Sequence, residues 1–403
     1  MTVIDEGLMS AAQGVLPTMV DLRRTIHRQP ELGLDLPQTQ RAVMESLEGL
    51  GLRVDVGKGL SSVIAELDTG RPGPTILLRG DMDALPMPED TDLDFASEVE
   101  NRMHACGHDA HTAMLVGAAH LLVAAKSQLK GRVRFMFQPG EEGDGGALLM
   151  MDQDVLEGVD AAFALHVAPN VPAGIVAWKP GAAMASADVV QIQVKGRGGH
   201  ASTPHWARDP VPVACEIVLA LQSMVTRTVD VFDPVVVTIA TIETGTTDNV
   251  IPEVANLSGT IRAVSERSRK DVLERISTVA NGVASAHECE VSIKTIEGYP
   301  VTINDAAFAA FAASVVDDTF GPGHSYQMGS PVMGAEDFSY VLQKVPGAML
   351  FLGVCPPENP DPFSAPSCHS NRMILHEESM ANGAALHAAV AMTYLSRDGD
   401  ISL

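Results

Sequence analysis

Through the first 180 residues, short apolar runs alternate with longer helical stretches, and this alternation constrains the fold more than any other feature. "SSVIAEL", "PTILLRGDMDAL", "GRVRFMFQPGEE" and "VDAAFALHV" read as strands, while "LMSAAQGVLPTMVDLRRTIHRQP", "PQTQRAVMESLEGLG" and "HDAHTAMLVGAAHLLVAAKSQL" read as helices. Strands alternating with helices predict a mostly parallel sheet covered on both faces. In such sheets chemistry collects beyond the carboxyl ends of the strands. Asp81, Asp83, Glu141, Glu142 and His166 all fall at or just past the ends of these apolar runs.

Near residue 182 the pattern changes. "SADVVQIQVKGRGGHAS" alternates apolar and polar residues as a half-exposed strand does, and the segments after it follow the order β-α-β-β-α-β of a ferredoxin-like unit. From about residue 300 the α/β alternation returns. The chain therefore reads as one large α/β domain, residues 1–181 and 299–403, interrupted by a small α+β domain, residues 182–298. A length of 403 residues agrees with two cores, and 46% apolar against 19% charged residues argues against global disorder.

Composition narrows the classes of partner. The formal charge of −24, with no Lys/Arg run, disfavours nucleic acid and anionic membrane surfaces. No apolar run reaches the length of a membrane span, and the acidic opening "MTVIDEGLMSAAQG" lacks the pattern of a signal peptide. Five scattered cysteines without a CxxC fit a reducing cytoplasm. If the substrate is itself a carboxylate, something inside the site must reverse the local field.

"MHACGHDAH", residues 103–111, concentrates soft donors immediately before a long helix. A helix N-terminus stabilises a thiolate, and thiolate with imidazole suits borderline-soft divalent ions at Cys106 and His108. A buried thiol beside capping histidines is the plainer alternative. In "QPGEEG", Glu141 and Glu142 repel each other unless a cation or a shared proton relieves them, or unless the turn is simply solvated. His166 in "FALHVAP" and His369 in "SCHSN" are unremarkable singly. Together Cys106, His108, Glu142, His166 and His369 offer five ligands, too many for one tetrahedral ion and suited to two ions that share a bridge. Two other classes stay open: a Cys106 nucleophile with a histidine base, and a metal-binding protein without catalysis.

The motifs "LRGDMDALPM", "MHACGHDAHTAML", "QPGEEG", "ALHV", "GRGGHAS", "DNVIP", "GTIR" and "MGAEDFSY" occur in the order found in a family of bacterial and plant amidohydrolases. The chain resembles that family, which includes hippurate hydrolase, N-acyl-amino-acid aminoacylases and auxin-conjugate hydrolases and is related to carboxypeptidase G. The resemblance implies a zinc-peptidase-like catalytic domain with two metal ions and a mixed, largely parallel sheet. It also implies an inserted ferredoxin-like satellite domain for dimerisation or closure, in a homodimer or dimer of dimers. The implied reaction is metal-dependent hydrolysis of the amide bond of an N-acyl amino acid, with a dipeptidase or carboxypeptidase of the same family as the alternative. The ions would be zinc, manganese, cobalt or nickel.

By the same resemblance, Cys106 bridges the metals, His108 and His166 complete one, and Glu142 and His369 complete the other. Asp83 orients a ligand, and Glu141 serves as proton shuttle. His200 donates a hydrogen bond to the oxyanion from the neighbouring subunit, while Asn249 and Arg262 contact polar groups of the substrate, including its carboxylate. The wording after His369, "SCHSNRMILHEE", departs from the H-x-P-x-[FY] of relatives. More distant relatives carry histidine where Asp81 stands, and the role of Asp81 is left open.

Overall fold

The computed structural model describes residues 6–359 and 361–402. Its central feature is an eight-stranded sheet. Six of its strands are β1 (Arg53–Val56), β2 (Val63–Asp68), β3 (Thr75–Asp81), β4 (Arg132–Gln138), β5 (Ala161–Pro172) and β6 (Val176–Trp178), joined by Ser325–Gln327 and Gly347–Cys355. Across the sheet the order is β1, β2, β4, β3, β5, Gly347–Cys355, β6, Ser325–Gln327. The centre is parallel, since β3 pairs in parallel with both β4 and β5, and β5 in parallel with Gly347–Cys355. The β1–β2 and β2–β4 pairs are antiparallel, as is β6 with Gly347–Cys355.

The central strands are apolar in continuous runs because both their faces are covered. Every residue of β3 and of Gly347–Cys355 is buried. Helix α1 (Glu6–Arg28), helix α3 (His108–Ala124) and the last helix (Ser379–Ser396) pack beside one another and share this core; α2 (Pro37–Leu47) joins them at one side. Helix α3 is apolar nearly all round, as a helix enclosed by others must be. It lies so close to β3 that a Cβ added at Gly80 would sit 2.9 Å from the carbonyl oxygen of His111.

Contacts divide the chain into two units. The larger comprises residues up to Ala183, Ile303–Ser330 and the chain from Tyr340 onward; the smaller is Met184–Thr302 with Pro331–Ser339. Change of pattern alone assigns 331–339 to the larger unit, but backbone bonds from Ala185 to the carbonyls of Val332 and Gly334 fasten this stretch to the smaller one. The smaller unit has a four-stranded antiparallel sheet in the order Val235–Thr244, Val254–Ala263, Asp188–Lys195, Glu290–Glu297. Helices Pro210–Thr228 and Glu266–Ala286 pack against it and enclose a second core, including Val190, Ile192, Val213, Ile217, Leu257 and Ile276. Arg269 grips Asp188 with two hydrogen bonds of 2.9 and 2.7 Å, tying the second helix to the first strand.

Among the described residues, Pro210–Thr228 alone has the length and hydropathy of a membrane span. Its buried positions, Val213, Ala214, Ile217, Leu221 and Met224, recur on one face against the sheet, as in an ordinary docked amphipathic helix.

Gly80→Ala should cost about 1–3 kcal/mol of stability, because the new methyl group must push α3 off β3. Urea unfolding of the variant beside the parent checks this.

Candidate metal centre

The site grows from the junction between residue 103 and α3. Gly107 is the N-cap of α3 with φ of 85°, in the left-handed region that glycine tolerates. A Cβ there would stand 2.4 Å from Val167 Cγ2. This glycine turns the chain sharply between Cys106 and His108, so that both donors face the same space.

The two glutamates are placed by one aspartate. After β4 ends at Gln138, the backbone N–H groups of Glu141 and Glu142 donate to Asp83 Oδ1 and Oδ2 at 2.9 and 3.0 Å. The orienting contact from Asp83 to His108 comes from its backbone: His108 Nδ1 donates to the Asp83 carbonyl oxygen at 2.8 Å, while the carboxylate is 3.5 Å away. His166 does not end its strand, because β5 runs on to Pro172. It lies just past Ala164, the last β5 residue paired with β3. His369 sits on a loop at φ of 67°, and its backbone N–H donates to the Ala105 carbonyl at 2.8 Å.

These donors converge as two groups with one common member. Ligand atoms of Cys106, His108 and His166 lie within 4.8 Å of one another, and so do those of Cys106, Glu142 and His369. His108 Nε2 and Glu142 Oε1 are buried without a hydrogen-bond partner among the described residues. Glu142 Oε1 is 3.2 Å from His369 Nε2, an ion pair when that imidazole is protonated. His166 donates from Nδ1 to the Val167 carbonyl at 2.7 Å, which leaves the Nε2 lone pair to accept from the Cys106 thiol, whose Sγ is 3.4 Å away. Buried lone pairs aimed at a common space are costly unless something positive fills it, so the donor set fits a pair of divalent ions.

The electrostatics favour positive charge at this spot, supplied by a proton on His108 or by an ion in its place. Burial opposes a charge on His108, yet the carboxylates of Asp81, Asp83 and Glu142 outweigh it and hold its pKa well above the usual imidazole value. On Cys106, contact with the Cys368 thiol and burial, reinforced by Glu142 and Glu141, push the thiol well up, against the expectation from the helix N-terminus alone. The same contact draws Cys368 down to about 6. A dication reverses this balance, since a coordinating thiol loses its proton outright. Cys368, a thiol beside the shared donor, carries no signal in the sequence beyond its place next to His369.

His200, Asn249 and Arg262 belong to the smaller unit. His200 is exposed in a two-residue strand paired with Val250–Ile251, and the Asn249 carbonyl accepts the N–H of Ala201 at 3.1 Å. Ser202 N–H donates to His200 Nδ1, so the neutral ring carries its proton on Nε2. Arg262, half-buried in Val254–Ala263, has no ion-pair partner among the described residues, so the plain salt bridge that would explain it is not there.

A family model described as peptidase family M20/M25/M40 matches residues 77–393. The chain belongs to this family. It is 38% identical over 398 residues to thermostable carboxypeptidase 1 of Saccharolobus solfataricus, covering 97% of this chain and 99% of that one. It is 39% identical over 381 residues to an IAA-amino acid hydrolase of Arabidopsis thaliana, covering 94% and 86% respectively. Among solved structures, it resembles a dinuclear metal binding M20 peptidase of Bacillus subtilis with a TM-score of 0.83 and 32% identity, over 95% of this chain and 99% of that one. M20 proteins are metal-dependent hydrolases, and the two-unit architecture seen here is the M20 fold.

Metal content separates a shared bridge from two independent sites. Elemental analysis after reconstitution should find two ions per chain in the parent and one in His369→Ala. Cys106→Ala, which removes the common donor, should retain fewer than one.

Proposed function

We propose that this M20 hydrolase cleaves the amide bond of N-acyl amino acids, releasing a carboxylic acid and a free amino acid. The observation that carries the reading is a carboxylate, Glu141, beside two donor triads and held by the same Asp83 side chain that holds Glu142. Cys106, His108 and His166 would hold one divalent ion, and Cys106, Glu142 and His369 the other. When bound, such a pair supplies an acidified water and a Lewis acid for the carbonyl.

The remaining work belongs to the chain's own side chains. Glu141, outside both triads and with Oε2 4.0 Å from His108 Nε2, takes the proton of the attacking water and delivers it to the leaving nitrogen. His200 donates from Nε2 to the oxyanion, the role its counterpart has in the family resemblance. Arg262, whose guanidinium has no ion-pair partner among the described residues, meets the substrate carboxylate and supplies the local reversal of field that an acidic protein needs. Asn249 contacts the substrate's remaining polar groups. The neighbouring subunit that would bring His200 to the site makes a homodimer part of this proposal.

Kinship with an IAA-amino acid hydrolase supports an acylated amino acid as substrate. Kinship with a carboxypeptidase keeps peptide cleavage as the second reading. A panel of benzoyl, acetyl, long-chain and indole-acetyl amino acids, run beside dipeptides on protein loaded with manganese, cobalt or zinc, decides between them. Faster turnover of dipeptides with a free amine would overturn the proposal.

Glu141→Gln should keep both ions and lose about 100- to 10,000-fold in kcat. His200→Ala should lose about 100- to 1000-fold. Metal analysis alongside steady-state kinetics checks both, and a Glu141→Gln variant with parental kcat would remove Glu141 from the mechanism.

A further inference from the structure

We propose that Asp81 and His111 are positioning residues that hold the ligand histidine His166 through the backbone of Val167. This rests on the reading of His166 as a ligand given above and extends it to two buried side chains outside both triads.

His111 lies one helical turn beyond His108 on α3, on the same face. Its ring packs edge-on against His166, with centroids 4.7 Å apart. The Val167 N–H donates to His111 Nε2 at 2.8 Å, so that nitrogen carries no proton. The proton is therefore on Nδ1, which donates to Asp81 Oδ1 at 2.6 Å. The other oxygen of Asp81 accepts from Arg79 Nη1 at 2.5 Å, and Arg79 Nε donates to Gln138 at 2.9 Å. Arg79, Asp81 and His111 are all at most 1% exposed. Each member has one hydrogen-bonding state compatible with its neighbours.

The chain of bonds ends at the metal centre. The peptide held by His111 on its N–H side belongs to the residue whose carbonyl accepts His166 Nδ1–H at 2.7 Å. If Val167 turned, His166 would lose the contact that keeps its proton on Nδ1 and its Nε2 lone pair directed at Cys106.

Asp81, His108 and His111 also lie close enough to suggest a third cation site. Bonding argues against that reading: both nitrogens of His111 are engaged, and the guanidinium of Arg79 already supplies the positive charge at Asp81.

Asp81→Asn tests the idea at almost constant shape. The amide oxygen must face Arg79, so the amide NH2 faces His111 and moves the ring proton to Nε2, against the Val167 N–H. An aspartate-to-asparagine exchange beside a histidine acts by the same inversion of tautomer in serine proteases. His111→Gln is the conservative companion, because its Oε1 can still accept from Val167, whereas His111→Leu cannot.

The experiment combines two measurements. In metal-stripped parent protein labelled with 15N-histidine, NMR should show His111 protonated on Nδ1 and bare on Nε2, a result that needs no variant to fold. Competition with a chromophoric chelator should then show cobalt at the His166 position held about 10- to 100-fold more weakly in Asp81→Asn and His111→Leu. His111→Gln should recover most of that loss. A parent that binds two cobalt ions while His111 carries its proton on Nε2 would overturn the inference and leave the metal centre standing. So would an Asp81→Asn variant with parental cobalt affinity. A parent that takes up no pair of ions would bring down both readings.

Discussion

Four carboxylates, Asp81, Asp83, Glu141 and Glu142, crowd the end of the parallel strands in a space largely shut off from water. Their mutual repulsion is the constraint that the rest of the larger unit accommodates. Part of it is answered within the chain, by Arg79 at Asp81 and by backbone N–H groups at Asp83. What is left falls on His108 Nε2, Glu142 Oε1 and the Cys106 sulfur, and it calls for cations from outside. Around them the scaffold is stiff: β3 is buried throughout, and α3 sits against Gly80 without room for a methyl group.

Much of this is legible in the sequence. The long apolar segments predict the central strands and α3, because a strand covered on both faces or a fully enclosed helix must be apolar along its length, while α1 and α2 show through the helical period of the single face that each buries. The alternating pattern after residue 182 likewise marks the half-covered sheet of the smaller unit. The strands that leave no such mark, Arg53–Val56, Val176–Trp178 and Ser325–Gln327, are only three or four residues long, too short for a period to show.

Within the site, the nature of the donors is readable and their detailed contacts are not. Cysteine, histidine and glutamate advertise metal chemistry by residue type. That His108 is oriented by the backbone of Asp83, or that the backbone of Val167 links His111 to His166, depends on main-chain groups rather than on side-chain type. His111 does carry one signal, its i+3 spacing from His108 on a helix. Asp81 offers none beyond its place at the end of an apolar run.

The two donor triads differ in how they meet solvent. His108 is wholly enclosed, whereas the His369 side chain is 55% exposed on a loop whose backbone is held to Ala105. A divalent ion held by Cys106, His108 and His166 would sit among side chains that are buried or half-buried. One held by Cys106, Glu142 and His369 would have an exposed imidazole among its ligands and water within reach. The two halves of the centre are therefore unlike: one would be wrapped by the sheet side, the other would open at the rim.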